Sequence, residues 1–453
     1  MRLGLAFLFL SVGLTAPVLA QTPPPPSTAP AGEQGRVVVD IVGGISSPMP
    51  IAIPNMPTPA NTATAAGDTT ALGARVSEVI TNDLRNSGLF SPLGANALRP
   101  VAYNQVTAPE FPYWVSTGAQ ALVQGFVQAN GDGTLTVGCY LYDVFAQTEL
   151  TRQGFVVQPA FWRRAAHKCA DTIYTRLTGE GPYFDSRVAY VSETGPKNNR
   201  TKRLAVMDQD GANHRFLTNG QTIVLTPRFA PNQQTITYMS YTNNRPRIYV
   251  YDIGSGKQRL VVDQPNMTFA PRFSPDGRYI VFSMAVGGNT DVYRVSASGG
   301  SPQRLTTAPG IDTGASYSPD GSKIVFESDR SGTQQLYVMN ADGSGQNRIS
   351  FGGGRYATPV WSPRGDLIAF TKMGGGFAVG TIAPDGSGEK ILTNGWQDEG
   401  PSWSPNGRVI MFFRTGQGSG KADLWSVDLT GVNERRIPTP LDGSDPAWSP
   451  LLP

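Results

Sequence analysis

Two cysteines, two histidines and no basic tract set the first limits on this chain. Two cysteines are too few for a disulfide scaffold, and Cys and His together are too few and too scattered for a zinc site. A Ser-His-Asp triad needs a placed histidine. His167 lies among Arg163, Arg164 and Lys168 in a predicted helix, where it reads as a surface or capping residue, and His214 falls in a turn. No Gly-x-Ser-x-Gly elbow is present. The stretch Gly416–Lys421 approaches a phosphate loop, but Thr415 stands where its first glycine belongs and Ala422 replaces the hydroxyl residue, so a hairpin loop is expected. A net charge of +3 is too small to argue for nucleic acid, and none is expected as a partner. Neither enzymatic activity, a cofactor nor a metal is expected.

Long hydrophobic runs are also missing, apart from Leu3–Leu14, which follows Met1-Arg2 and ends in the small-residue exit Val18-Leu19-Ala20. That run is shorter than the ~20 residues needed to cross a bilayer. Residues 1–20 therefore read as a signal peptide cleaved after Ala20. No cysteine follows that exit to be acylated, so an exported, soluble monomer without membrane insertion is expected. Residues 21–35, rich in proline and small polar residues, read as a flexible tether.

What the chain does contain is 52 glycines and 37 prolines with only 16% charged residues, a composition of many short strands joined by turns. Residues 36–180 predict an α+β domain, a mixed sheet with two helices. Arg36–Val42 and Met49–Pro54 read as strands, the second short or at an edge because prolines bound it. Apolar residues at helical spacing predict helices over 72–86, stopped by Gly88, and over 161–177. Strand patterns occupy 119–127, 134–142 and 154–158. Cys139 shares strand parity with Leu135, Val137 and Leu141, and Cys169 a helix face with Trp162, Ala166 and Ile173. Both thiols then sit under one helix, as a disulfide or as two buried free thiols.

From residue 184 to 453 the sequence repeats. An aromatic followed by Ser/Ala-Pro recurs at Phe229, Phe273, Tyr317, Trp361, Trp403 and Trp448, with intervals of 44, 44, 44, 42 and 45 between the prolines. Each period carries four strand patterns, the grammar of a β-propeller blade. The segment from Arg187 lacks a preceding aromatic strand, while Asp445–Pro450 lacks anything after it, so the chain's end completes its first blade and closes six blades into a ring. The aromatics read as packing between blades. Turns such as Pro275-Asp-Gly277 read as tight turns and not as metal loops, because the Asp position is Asn232, Arg364 or Asn406 elsewhere.

Thr81–Leu93, Phe161–Asp171 and the terminal Pro446–Pro450 resemble the corresponding segments of the TolB family, and the resemblance runs from end to end of the mature chain apart from the Pro-rich insertion. The resemblance implies a periplasmic, non-enzymatic link of the Tol-Pal system that binds the lipoprotein Pal on its propeller and TolA through its N-terminal region. It implies a TolA-binding strand at Arg36, Val37, Val38, Val39, Asp40 and Ile41, here displaced from the mature N-terminus by the tether. Pal is expected over the mouth formed by the loops entering each inner strand: Thr226; Met267, Thr268 and Ala270; Asp312 and Thr313; Tyr356 and Thr358; Asp398 and Glu399; Asp445. Their acids give an acidic rim suited to a basic partner. Propellers of this type also occur in peptidases and sugar-binding proteins, and a peptidoglycan- or glycan-binding propeller is the alternative.

Overall fold

The computed structural model describes residues 47–196, 198–232 and 234–452. The signal peptide, the tether and the expected TolA-binding residues Arg36–Ile41 lie outside the described residues. The N-terminal part holds a five-stranded mixed sheet, β1 (Met49–Ala52), β2 (Phe90–Leu93), β3 (Ala121–Ala129), β4 (Leu135–Asp143) and β5 (Thr148–Val157), in the order β2-β1-β3-β4-β5. Strand β1 is short, as its prolines require, but it is not at the edge: it pairs in parallel with both β2 and β3. Pro50 lacks an N–H, yet its carbonyl still accepts from Gln120 at 2.9 Å. A proline at the right register thus enters a sheet interior without an orphaned donor.

Helices α1 (Thr69–Asn86) and α2 (Trp162–Thr178) pack against one face of this sheet. Asp68 caps α1 by accepting the Ala71 amide at 2.9 Å. The stripe Leu72, Val76, Val79, Ile80 and Leu84 is fully or almost fully buried against Ile51, Val123 and the α2 residues Ala166 and Ile173. Gly73 lets α1 approach the backbone of Met56, whose carbonyl oxygen would lie 2.0 Å from any added Cβ. Cys139 of β4 and Cys169 of α2 form a disulfide with Cα atoms 5.9 Å apart, fastening helix to sheet.

The remainder is a six-bladed β-propeller, each blade an antiparallel four-stranded sheet. The inner strands are Val224–Phe229, Thr268–Phe273, Asp312–Tyr317, Arg355–Trp361, Asp398–Trp403 and Asp442–Trp448, and each touches its neighbours around a closed circuit. Asp442–Trp448 pairs with Arg187–Thr194, so the first blade is made from both ends of the propeller segment. The turns after the inner strands follow the sequence: Ser274 Oγ donates to Asp276 and accepts from the Tyr279 amide, while Gly277 turns at φ 70°.

Every inner strand is broken by a β-bulge at the same place. One residue of each bulge is left-handed: Thr226, Ala270, Gly314, Thr358, Gly400 and Asp445, with φ between 49° and 67°. Only two of these are glycine, and left-handed backbone costs a residue with a Cβ roughly 1–2 kcal/mol. Substituting Ala270 by Gly should therefore stabilise the chain by about 1 kcal/mol, and Gly314→Ala should destabilise it by about as much or more. Equal denaturant midpoints for the two variants would show that the collar is unstrained.

Closing the ring with Asp442–Trp448 also buries Trp448, whose Nε1 donates to Ser186 Oγ at 2.8 Å. Truncation after Gly443 should abolish cooperative unfolding of the propeller, because it opens an edge strand and an inter-blade face. A truncated chain that unfolds in one sharp transition at the full-length midpoint would refute that dependence.

Candidate functional site

The inner strands of a propeller converge on its axis, so the sites this fold offers are the two mouths and the joint to the N-terminal layer. At the mouth where the inner strands begin, the residues expected as entry loops, Met267 excepted, belong to the strands themselves. The acidic rim is corrected by this placement. Asp312 and Asp398 are fully buried and face outward along their blades, Asp312 to Arg330 at 2.6 Å and Asp398 to Nε and Nη2 of Arg414 at 2.6 and 2.8 Å. An extended strand alternates its side chains, and Val224, Thr268, Asp312, Tyr356 and Asp398, each two residues before a left-handed position, are buried in their blades.

Thr268 and Tyr356 are equally enclosed, the first bonded to the Pro246 carbonyl at 3.1 Å and the second to Glu389 at 2.8 Å. Thr313 is buried and donates to Glu327, whose other oxygen accepts the Thr358 amide at 2.6 Å. Asp445 accepts the Thr226 amide at 3.3 Å across neighbouring blades. These carboxylates hold the strained bulges in place. Two acids at this mouth are perturbed: burial raises Glu327, and burial with the charges of Asp445 and Asp398 pushes Glu399 up to about 6.

Of the expected set, Met267 is openly accessible, at 49% exposure, and Thr226, Ala270, Thr358, Glu399 and Asp445 are partly so. The mouth also carries exposed side chains that the sequence reading passed over: Ile223, Ile311, Trp396 and Leu441. Ile223, Met267 and Ile311 stand 44 residues apart, each three residues before its left-handed position, so the repeat register contained this signal. It was hidden because each occurs singly beside a turn, where an exposed apolar residue needs no explanation.

The joint between α2 and the first blade holds the second correction. His167 is not at the surface: it is 2% exposed, with Nδ1 2.6 Å from the fully buried Asp83 of α1. Gln209 donates to the other Asp83 oxygen at 2.8 Å, and Arg163 reaches Asp208 at 3.3 Å and Asp210 at 2.5 Å. His167, Asp208 and Asp210 lie within 4.8 Å, near enough to chelate an ion, but the Arg163 guanidinium already occupies both carboxylates. The cluster carries its own cation. Beside it, Asp171 accepts the amides of Tyr183, Phe184 and Asp185 at 2.7, 2.8 and 3.0 Å, gripping the connection into the propeller.

Burial disfavours the His167 imidazolium, but the carboxylate of Asp83, with those of Asp210 and Asp208, outweighs it and raises the pKa from 6.5 to about 9. A histidine raised on folding contributes stability that is fully present below its unfolded value and lost as pH rises through its folded value. Unfolding free energy should thus fall between pH 6.5 and about 9, and His167→Gln should flatten that profile. A slope unchanged by the substitution would assign it to other groups.

Comparison with known proteins matches both halves. A family model described as the TolB amino-terminal domain fits residues 37–150, and one described as the TolB beta propeller domain fits residues 174–452. The Tol-Pal system protein TolB of Rhizorhabdus wittichii is 80% identical over 453 residues, the whole of both chains. That of Zymomonas mobilis subsp. mobilis is 74% identical over 423 residues, 93% of this chain and 92% of the relative. The crystal structure of TolB from Acinetobacter baumannii shares the fold with a TM-score of 0.77 at 28% identity, over 89% of this chain and 97% of that one. With an α+β layer, a six-bladed propeller and relatives of this identity over its full length, the chain belongs to the TolB family of Tol-Pal system proteins.

Proposed function

We propose that this chain is a non-enzymatic periplasmic scaffold that carries Pal on one mouth of its propeller and engages TolA through residues 36–41. In that role it supports outer-membrane integrity and constriction during division. Residues 1–20 would direct export, and among the described residues no helix is long and apolar enough to cross a membrane.

The observation that carries the Pal assignment is the ring of exposed apolar side chains, Ile223, Met267, Ile311, Trp396 and Leu441, around a mouth whose backbone is locked by six bulges. Anchors spaced around a rigid rim suit recognition of a folded partner, since little conformational entropy is lost on binding. The bulged collar between them leaves Ala270 and Thr358 partly accessible at the centre. Specificity on this reading comes from shape and apolar contact, with the buried acids acting through the backbone they hold.

Titration with purified Pal tests it. Met267→Glu should weaken binding at least about tenfold, or ~1.4 kcal/mol, and leave the unfolding midpoint unchanged because the side chain is half exposed. Ile311→Glu should act in the same direction. Unchanged affinity in both variants would place Pal elsewhere.

A further inference from the structure

The opposite mouth, where the inner strands end, opens into a cavity of about 480 Å³ walled by the aromatic-Ser-Pro ends of the strands. Two residues after each left-handed position, one side chain per blade lines this space: Arg228, Arg272, Ser316, Val360, Ser402 and Ala447. Four of the six are small, and two of those staple the ring together. Ser316 Oγ accepts the Trp361 amide at 3.3 Å and Ser402 Oγ the Trp448 amide at 2.8 Å, each from the next blade. Two adjacent blades place arginine there instead.

Neither arginine is used by the fold in the way arginines elsewhere in the propeller are. Arg330 and Arg414 close on carboxylates at 2.6 Å. The Arg228 guanidinium donates only to its neighbouring carbonyl, that of Pro227, at 2.6 Å, and the Arg272 guanidinium makes no hydrogen bond among the described residues. No carboxylate among the described residues lies within 4.0 Å of either guanidinium. The nearest acids, Asp445 toward Arg228 and Glu327 toward Arg272, act at longer range and already hold the Thr226 and Thr358 amides. Burial accordingly depresses both arginines' affinity for their protons, and the charge of Arg228 depresses that of Arg272 further. Two partly desolvated like charges facing one cavity are costly until an anion joins them.

We propose that this cavity is a binding site for a small organic anion, its phosphate or carboxylate held by Arg228 and Arg272 and its remainder packed on Phe229, Phe273 and Tyr317. A guanidinium presents two parallel N–H donors, so a pair on neighbouring strands matches a group with several acceptor oxygens. The volume falls within the range of small-molecule pockets, which are mostly apolar with a few convergent polar groups. The site lies at the end of the channel away from the proposed Pal rim.

Calorimetric titration of the full chain at constant ionic strength tests it, with inorganic phosphate, phenyl phosphate and benzoate as probes. Saturable binding of phenyl phosphate is expected, tighter than inorganic phosphate because of the rings. Arg272→Gln and Arg228→Gln should each weaken it about tenfold or more, with Arg272→Lys recovering part of the loss. Met267→Glu should leave it unchanged, which separates this site from the Pal reading. Benzoate binding in place of the phosphates would identify the anion as a carboxylate. No binding of any probe, or equal affinity in wild type and both glutamine variants, would overturn the proposal, as would inorganic phosphate binding at least as tightly as both aromatic probes. Melting curves that rise or hold in the glutamine variants show that the loss is not one of folding, since removing a repelling charge relieves the native state.

Discussion

The pairing of Asp442–Trp448 with Arg187–Thr194 is the contact on which the molecule depends. A propeller blade exposes a sheet edge and two apolar faces unless it has neighbours on both sides, so five blades and three strands would leave two faces open. Closure by the last strand makes every blade internal. It also ties the end of the chain to the segment entering the propeller, where Trp448 meets Tyr183 edge to face at 6.0 Å and bonds Ser186. The N-terminal layer reaches the same place: Tyr174, Leu177, Tyr183, Phe184, Val188 and Trp448 belong to one continuous core.

That shared core is bordered by polar groups that fix its geometry. Asp171 spends its carboxylate on three backbone amides of the connection, and His167, Asp83 and Gln209 form a buried chain from α2 through α1 to the first blade. Apolar burial alone is non-directional and would let the two layers slide. Buried hydrogen bonds to charged groups are expensive to break, so they admit one arrangement. The same device operates at the channel, where Glu327 and Asp445 hold backbone amides of the bulged collar across blade boundaries. Rigidity at the joint and at the mouth has a common origin in enclosed carboxylates spent on the backbone.

Much of this was legible beforehand. The 44-residue period, its four-strand grammar and the split first blade required six blades and their closure, because each depends on local pattern repeated at fixed spacing. The helix over 72–86 was set by its apolar stripe, and its partner over 161–177 likewise. Strand β1 was expected to be short or at an edge because prolines at 48, 50 and 54 read as breakers, and it is short but internal. Which of its backbone groups meet neighbours is decided by register, and Pro50 falls where only its carbonyl is needed. His167 looked exposed amid Arg163, Arg164 and Lys168, since a cationic neighbourhood reads as a solvated face until the opposing acids are known.

By itself the sequence determined the class of fold, the number of blades, how the ring closes and the family, since these follow from periodicity and from residues adjacent in the chain. Only the tertiary structure decided the character of the sites. Asp312 and Asp398 became buried partners of Arg330 and Arg414 instead of a rim, Ile223, Met267 and Ile311 became the exposed ring, and Arg228 and Arg272 came to face one cavity. Whether a charge is solvated, paired or stranded depends on groups brought to it from other blades, and no local pattern encodes that distance.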